Sequence, residues 1–417
     1  MQHKFTLFFA SVLATGFASA AEGLYNVGTE AQNSVPLKWS TGMSLTYDDN
    51  VNPGNTDRTT GAAVKDSAVS LNPYMGLSFL SLTPQTTWDV FARLGCVYYV
   101  DKPSTLVDDV YAQVRTTANL THRFDERLRF SSRNAVSYEL EPDYAYGVAT
   151  SRQSGAYLFW QTDNSLGYRW TERMATYTGL SLTALEYGGS TNQIQNRFTW
   201  EAYNQFRYQL TPERSVLTFD YRFGKTTAEG LASDSTNQYL LGGLEYRFSP
   251  TAILVTKAGL QIRQLSVGTN SNDPYAEMAM DSRLTQDFTL RGFLRYSIES
   301  YDTVQFLRNQ NSYYDFNKRQ TLRIGISGDY AISQTLSIFS GLDYIPAKFN
   351  NGTRVSGSGP ASASGLSSDL FNASVGLSVK LIERFYGTVS YNYTDSNSDV
   401  APAYTRNRIS VGVSYQF

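Results

Sequence analysis

The sequence predicts an all-β fold: a transmembrane, up-and-down antiparallel β-barrel of about 18 strands, with 16 as the alternative count. Three observations predict it. Residues 408–417 alternate strictly between apolar and polar, similar alternation recurs along the chain, and short turns alternate with long connections. Successive side chains of a strand point to opposite faces, so such segments have one apolar and one polar face. In the last segment the apolar face carries Ile409, Val411, Val413, Tyr415 and Phe417.

The chain opens with a segment typical of a secretory signal peptide, residues 1–20. It has a short basic head, an apolar stretch and small residues at positions 18–20. The apolar stretch is too short for the roughly 20 residues that a membrane-spanning helix needs, which disfavours a membrane anchor. We therefore expect export, then a short periplasmic segment at residues 21–36 and the barrel at residues 37–417.

The composition also favours a barrel. Aromatic residues make up 14% of the chain, with 30 Tyr and 23 Phe, yet the mean hydropathy is only −0.33. A membrane barrel gives this profile because each strand sends only alternate residues into lipid. The net charge of −2 argues against nucleic acid as a partner. The single cysteine, Cys96, excludes an intramolecular disulfide.

The connections between predicted strands alternate between two kinds. Short turns include FDER at 124–127, WTER at 170–173 and ISQT at 332–335, whereas residues 350–368 form a long, Gly- and Ser-rich connection. This alternation is typical of outer-membrane barrels, with tight periplasmic turns and extended extracellular loops, and an even strand count puts both termini in the periplasm. A β-propeller, the alternative for such a repeat, would place four short strands in each period instead of two long ones.

Two segments resemble a known family. The sequence YDDNVNPG at residues 47–54 and the terminal SYQF are similar to the outer-membrane β-barrel porin family of Gram-negative bacteria. The resemblance implies an integral protein of the bacterial outer membrane, in contact with membrane lipid and lipopolysaccharide, whose Phe417 is the assembly signal read by the β-barrel assembly machinery. Some members resemble the integral barrels of exopolysaccharide secretion, which would add a polysaccharide-export partner.

Residue types that serve common catalytic and metal sites are sparse. After the leader the only histidine is His122, on the apolar face of its predicted strand. Without a second histidine or a cysteine pair no zinc site has its ligands, and a Ser-His-Asp site would face lipid. Neither a phosphate-binding loop nor a dinucleotide motif is present. We expect no enzyme activity, no cofactor and no metal, and a barrel enzyme is the less favoured alternative.

Charged side chains fall opposite the apolar stripes of the predicted strands, where they would face the lumen, and basic residues outnumber acidic ones. Either these charges pair with one another across a wet lumen, or the surplus of cations gives an open channel a modest preference for anions. We expect a porin-like channel for passive diffusion of small solutes, with the exit pore of an exopolysaccharide secretion system as the alternative. The predicted pore-lining residues are Arg115, Arg133, Arg207, Arg222, Arg247, Lys257, Arg263, Arg291, Arg295 and Arg323.

Aromatic residues on the apolar faces mostly lie near strand ends, which predicts two belts at the membrane interfaces. A carbohydrate-stacking role would instead need aromatic residues in the loops or the lumen. The candidates for that role are Tyr144, Tyr146, Tyr313 and Tyr314.

Overall fold

A computed structural model describes residues 35–53, 64–140, 156–188, 196–212, 214–249, 251–268, 270–300 and 303–417. The predicted signal peptide, residues 1–20, lies outside the described residues, as do Tyr144, Tyr146 and all but the last two residues of the predicted periplasmic segment. The first strand begins at Val35, slightly earlier than predicted. Within the described residues no helix has the length and apolarity needed to cross a membrane.

The described residues form one sheet of 20 strands. Eighteen of them make the wall of the barrel, and the other two, β14 and β17, are short additions within long connections. The strands are β1 (Val35–Asp48), β2 (Ala68–Leu82), β3 (Thr86–Tyr99), β4 (Val110–Arg123), β5 (Leu128–Glu139), β6 (Tyr157–Arg169), β7 (Met174–Tyr187), β8 (Arg197–Thr211), β9 (Ser215–Ala228), β10 (Ser235–Ser249), β11 (Ala252–Leu265), β12 (Ser271–Arg283), β13 (Phe288–Glu299), β14 (Val304–Leu307), β15 (Ser312–Ala331), β16 (Leu336–Gly357), β17 (Ser362–Ala363), β18 (Leu366–Ile382), β19 (Phe385–Ser398) and β20 (Tyr404–Gln416).

The sheet closes on itself because the first strand pairs with the last. Ser40 of β1 lies opposite Gln416 of β20, and Trp39 and Phe417 exchange backbone hydrogen bonds of 3.1 and 3.0 Å. Closure removes the unpaired edge that an open sheet would expose to lipid. The predicted up-and-down barrel of 18 strands is confirmed, and the alternative count of 16 is wrong.

The hairpin of β15 and β16 departs most from the predicted strands. The sequence predicts a connection over residues 350–368, but β16 continues to Gly357 and pairs with a β15 that begins at Ser312. Phe316 lies opposite Gly352, and its ring occupies the space where a Cβ of Gly352 would be, 2.6 Å away. Such a cross-strand contact stabilises a strand that the local composition disfavours. The predicted loop is therefore mostly an extended hairpin.

The outer face of the wall is apolar and the inner face is not. On β20, Ile409, Val411 and Val413 expose 49%, 51% and 41% of their surface, whereas Arg406 and Ser414 on the opposite face expose 2% and 5%. An apolar surface this extensive is unfavourable in water and is the surface that lipid covers. The molecule is an integral barrel of the outer-membrane type.

Aromatic side chains lie at the end of the barrel that carries the short turns, here called the short-turn end; the opposite end is the long-loop end. Phe124, Trp170, Phe248 and Phe417 are all exposed there. Trp170 also contacts Tyr168 edge-on, with ring centroids 4.7 Å apart. Amphipathic and aromatic rings favour the membrane interface. The predicted belt is confirmed at this end.

The short turns are stabilised by their own side chains. The Asp125 carboxylate accepts hydrogen bonds from the backbone N–H of Leu128 and Arg127 at 2.7 and 2.6 Å. These bonds favour the ionised form and hold the pKa of Asp125 below its usual value. The hydroxyls of Thr171 and Ser333 accept backbone N–H groups in two other turns. Local hydrogen bonds of this kind fix the hairpins that the sequence predicts.

At the long-loop end, segments of the long connections pack against the inner wall. Val51, Leu106 and Leu140, which follow β1, β3 and β5, are buried in one apolar cluster with the inward-facing Tyr99. A second cluster on β15 and β16 includes Val400 from the last connection. Folded loop segments therefore narrow the lumen from this end.

Candidate functional site in the barrel lumen

The lumen wall has flat aromatic surfaces because several rings lie over glycines of the neighbouring strand. A Cβ added to Gly179 would lie 2.3 Å from the ring of Tyr203, directly opposite on β8. The ring therefore packs against the neighbouring backbone and turns its other face to the lumen. Three such pairs contain tyrosine, namely Gly42 with Tyr74, Gly167 with Tyr177, and Gly179 with Tyr203.

Glu299, at the end of β13, is the centre of a dense group of ion pairs. Its buried carboxylate lies 3.1 Å from Arg295, 3.4 Å from Arg319 and 2.5 Å from Arg323. Arg263 is buried beside them and donates to the backbone carbonyl of Glu299 at 2.9 Å. Buried charges are tolerated when they are paired and hydrogen-bonded. This group therefore fixes the end of β13 against β11 and β15.

Gln261 ties the same end of β13 to a strand that is not its neighbour. The fully buried Gln261 of β11 donates to the carbonyl of Ile298 at 2.8 Å and accepts from its N–H at 2.9 Å. The ladder between β12 and β13 stops at the pair of Ala276 and Tyr296. The last residues of β13 thus separate from β12 but remain paired with β15 as far as Glu299 and Arg319.

Asp220 and Glu277 form a second centre of ion pairs. Arg222 lies 3.3 Å from Asp220 and 2.8 Å from Glu277. Lys257 also pairs with Asp220, and its ammonium lies 3.9 Å from Glu277. Cations and anions from β9, β11 and β12 alternate here, so this part of the wall carries little net charge.

All ten predicted pore-lining residues lie on the inner side of the wall, and nine form ion pairs. The exception is Arg263, which forms no ion pair with the residues that the structure describes and donates to the Glu299 carbonyl instead. These contacts support paired charges as the arrangement of the wall, and a role of the ten in conduction stays a prediction. The pairs are Arg115 with Glu139, Arg133 with Asp163, Arg207 and Arg247 with Glu245, Arg222 and Lys257 with Asp220 and Glu277, Arg291 with Asp281 and Asp329, and Arg295 and Arg323 with Glu299.

Two inward arginines outside that set, Arg93 and Arg129, form no ion pair with any described residue. The guanidinium of Arg93 lies 3.9 Å from the ring centroid of Tyr74. Those of Arg129 and Arg207 both lie 5.6 Å from the ring centroid of Tyr177. Cations at these distances interact favourably with the face of a ring. The glycine-backed rings of Tyr74 and Tyr177 are therefore occupied by arginine.

A cavity of about 240 Å³ lies in the lumen against β5 to β13. Its acidic lining residues are Asp163, Glu201, Asp220, Glu245 and Glu299. Its basic lining residues are Arg133, Arg207, Arg222, Lys257 and Arg295, which are five of the ten predicted residues. Acidic and basic side chains are equal in number, so the lining is polar without a net charge.

Four tyrosines also line this cavity, namely Tyr177, Tyr203, Tyr239 and Tyr275. They were not predicted from the sequence, because only charged residues were considered on the inward faces of these strands. Their inward register, on the same face as the charged residues of their strands, is the pattern that could have identified them.

A second cavity of about 230 Å³ borders the wall where β20 meets β1. Small polar residues line it, among them Ser40, Ser44, Ser390 and Ser410.

The predicted carbohydrate-stacking residues within the described part of the chain are not in a loop. Tyr314 is fully buried on β15, where its hydroxyl donates to the carbonyl of Pro360 at 2.8 Å. Tyr313 packs against Phe306 with ring centroids 4.8 Å apart. The prediction is wrong for Tyr314, because the extended hairpin covers its ring.

His122 contacts a neighbouring strand and an aromatic ring at the short-turn end. Its Nδ1 lies 2.8 Å from the hydroxyl of Thr86, and its ring contacts Phe124 edge-on at 4.7 Å. Among the described residues, no group of three potential ligands could hold a metal ion.

No protein-family model matches the chain, and no curated protein does. Solved structures do match. OccAB4 of Acinetobacter baumannii is 14% identical, with a TM-score of 0.43 over 92% of this chain and 99% of that chain. OpdK of Pseudomonas aeruginosa, crystallised with vanillate, is 13% identical, with a TM-score of 0.45 over 91% and 99%. OccK2 of Pseudomonas aeruginosa, in complex with glucuronate, is 10% identical, with a TM-score of 0.42 over 91% and 98%. Each is a distant likeness.

Proposed function

We propose that the protein is a porin-like channel through which small polar solutes diffuse passively across the outer membrane. The observation that carries this proposal is a polar cavity of about 240 Å³ inside a closed barrel whose outer face is apolar. Barrels of 16 to 18 strands are wide enough to enclose a water-filled path. The folded loops at the long-loop end restrict that path, which favours small solutes over large ones.

The channel is expected to prefer anions modestly. Most inward cations are paired, so their fields are largely cancelled near the wall. Arg93 and Arg129 are two lumen-facing cations that form no ion pair among the described residues, and their described contacts are with aromatic rings. Salt screens charges beyond roughly 8 Å at physiological ionic strength, so the preference should shrink as salt rises.

The direct test is conductance of the refolded barrel in a planar bilayer under a KCl gradient. We expect discrete conductance steps and a reversal potential displaced toward chloride. A cation-selective wild-type channel would contradict the anion preference. Absence of conductance would contradict passive diffusion and favour the alternative, an exit pore that opens only with a polysaccharide-export partner.

Changing Arg93 and Arg129 together to Glu should move the reversal potential toward potassium. These residues suit the test because neither change removes the partner of an ion-paired carboxylate. Arg291→Glu, in contrast, would place a carboxylate beside Asp329, which lies 3.1 Å from Arg291. Arg93→Lys with Arg129→Lys is the matched control and should keep the wild-type potential. If the double glutamate variant has the reversal potential of the wild type, these side chains do not lie on the conducting path.

A further inference from the structure

Glu201 differs from the other carboxylates of the larger cavity. Asp163, Asp220, Glu245 and Glu299 each contact an arginine, a lysine or a tyrosine hydroxyl. Glu201 lines the same cavity, yet within the described residues it accepts no hydrogen bond and forms no ion pair. An ionised carboxylate offers about four acceptor positions. The acceptor positions of the Glu201 carboxylate are therefore available to a solute.

The opposite strand leaves space beside Glu201. Its partner on β9 is Gly224, and a Cβ there would lie 3.3 Å from the Cβ of Glu201. A larger residue at position 224 would crowd this carboxylate. The glycine therefore keeps one side of Glu201 open.

Tyr203 supplies a flat apolar surface next to that carboxylate. It lies two positions further along β8, on the same face, so the two side chains are roughly 7 Å apart along the wall. One face of its ring covers Gly179, and its hydroxyl donates to Asp163 at 2.9 Å. Unlike Tyr74 and Tyr177, its ring has no guanidinium over it among the described residues. The lumen face of the ring is uncovered.

We propose that this cavity binds a neutral, polyhydroxylated solute of monosaccharide size, with Glu201 and Tyr203 as its two contacts; this rests on the proposed channel function. The C–H face of a sugar ring packs against the ring of Tyr203, and its hydroxyls donate to Glu201. The balanced charge of the lining selects against a net charge on the solute. The volume of about 240 Å³ exceeds the roughly 150 Å³ that accommodates benzene in an engineered cavity.

The experiment measures the block of ionic current through single reconstituted barrels by D-glucose. In the wild type the block should saturate with glucose concentration. Glu201→Gln should raise the half-blocking concentration about tenfold, since a hydrogen bond to a charged acceptor contributes about that factor. Tyr203→Leu should also raise it, because this change removes the ring face on which the sugar packs. Tyr203→Phe retains the ring and should block like the wild type.

Glu186→Gln is the matched control, because Glu186 is an exposed glutamate on β7 outside the cavity lining. Heat-modifiable migration on gels checks that each variant is folded. If Tyr203→Leu does not fold, Glu201→Gln alone decides. A glucose block that Glu201→Gln leaves unchanged would overturn the proposal. So would a Glu201-dependent block by lysine at lower concentration than glucose, since that result identifies a cation site.

Conductance without any glucose block would refute the sugar site and leave the channel function standing. If the barrel does not conduct, the channel function fails, and calorimetric titration of the detergent-solubilised barrel with D-glucose decides the site. Binding that Glu201→Gln weakens would then support the site without transport. Absence of heat from the wild type would refute it.

Discussion

At the scale of single residues, the lumen depends on pairs of glycine and aromatic residues. Tyr203 presents a face to the cavity because Gly179 lies beneath its ring, and Tyr177 does so above Gly167. A side chain at either glycine would lift the ring off the wall, since no Cβ tolerates a contact below 3.0 Å. The flatness of the wall is a property of neighbouring strands together.

The two faces of each strand predict opposite responses to the same substitution. Val389 is exposed on the outer face and lies in register between Leu377 and Val411, whereas the adjacent Ser390 lines the second cavity. Val389→Arg should cost roughly 2–4 kcal/mol, because it places a cation in lipid. Ser390→Arg places the same cation in the lumen and should be tolerated. The measurement is the heat-modifiable fraction after refolding, and equal loss in both variants would contradict the assigned faces.

At the scale of elements, the DDNV sequence at residues 48–51 joins the first and last strands at the long-loop end. Arg406 of β20 is buried with its Nε 3.0 Å from both carboxylate oxygens of Asp48. Next to it, Asp49 accepts the N–H and side-chain amide of Asn407 at 2.7 and 2.9 Å. Burial acts to raise the pKa of Asp49, but these donors outweigh burial and hold the pKa below its usual value.

Loss of the buried pair should destabilise the seam. Arg406→Met leaves the buried Asp48 carboxylate without its cation, which typically costs about 3–5 kcal/mol. The double variant Asp48→Asn with Arg406→Met should recover part of that loss, because no charge is then stranded. Both are measured as the free energy of unfolding in urea with the barrel in lipid.

Lys65→Met is the control for the seam. It removes the exposed Lys65 ammonium 3.0 Å from Asp49 and should cost less than about 1 kcal/mol, as surface pairs do. If Arg406→Met and Lys65→Met cost the same, the buried pair does not stabilise the closure.

At the scale of the whole molecule, we propose the orientation that the alternating connections predict, with both termini in the periplasm. An epitope inserted beside Gly357, at the long-loop end of β16, should be labelled on intact cells. The same epitope after Ser333, in the short turn before β16, should be labelled only after permeabilisation. Because both sites flank one strand, the reverse result would invert the orientation of the barrel.

The terminal residue is expected to direct assembly. Phe417 is exposed at the short-turn end and exchanges backbone hydrogen bonds with Trp39. Its deletion should lower the folded barrel in the outer-membrane fraction several-fold, whereas deletion of Ser358 in a loop should not. Phe417→Ala keeps the backbone hydrogen bonds with Trp39. If this variant loses as much folded barrel as the deletion does, the ring is the assembly signal. Undiminished barrel after the deletion would refute the assignment.

The sequence by itself determined the barrel, the two faces of each strand and a wall of about 18 strands, and the structure decided between 18 and the alternative count of 16. The reason is that the alternation of side chains has a period of two and is a local property of the chain. The inward position of the charged residues followed from the same alternation, whereas their pairing was one of two alternatives until the structure showed the partners. Residues 408–417 and the short turns at 124–127 and 332–335 lie where the sequence predicts them.

Only the tertiary structure decided which inward residues meet. Gln261 holds Ile298 from a strand that is not adjacent, and the ring of Phe316 extends a hairpin through residues whose composition indicates a loop. Gly179 lets the ring of Tyr203 lie flat on the wall, and Gly224 leaves space beside the Glu201 carboxylate. These contacts join residues far apart in the chain. Strand register and loop packing determine them, and the local alternation of side chains does not.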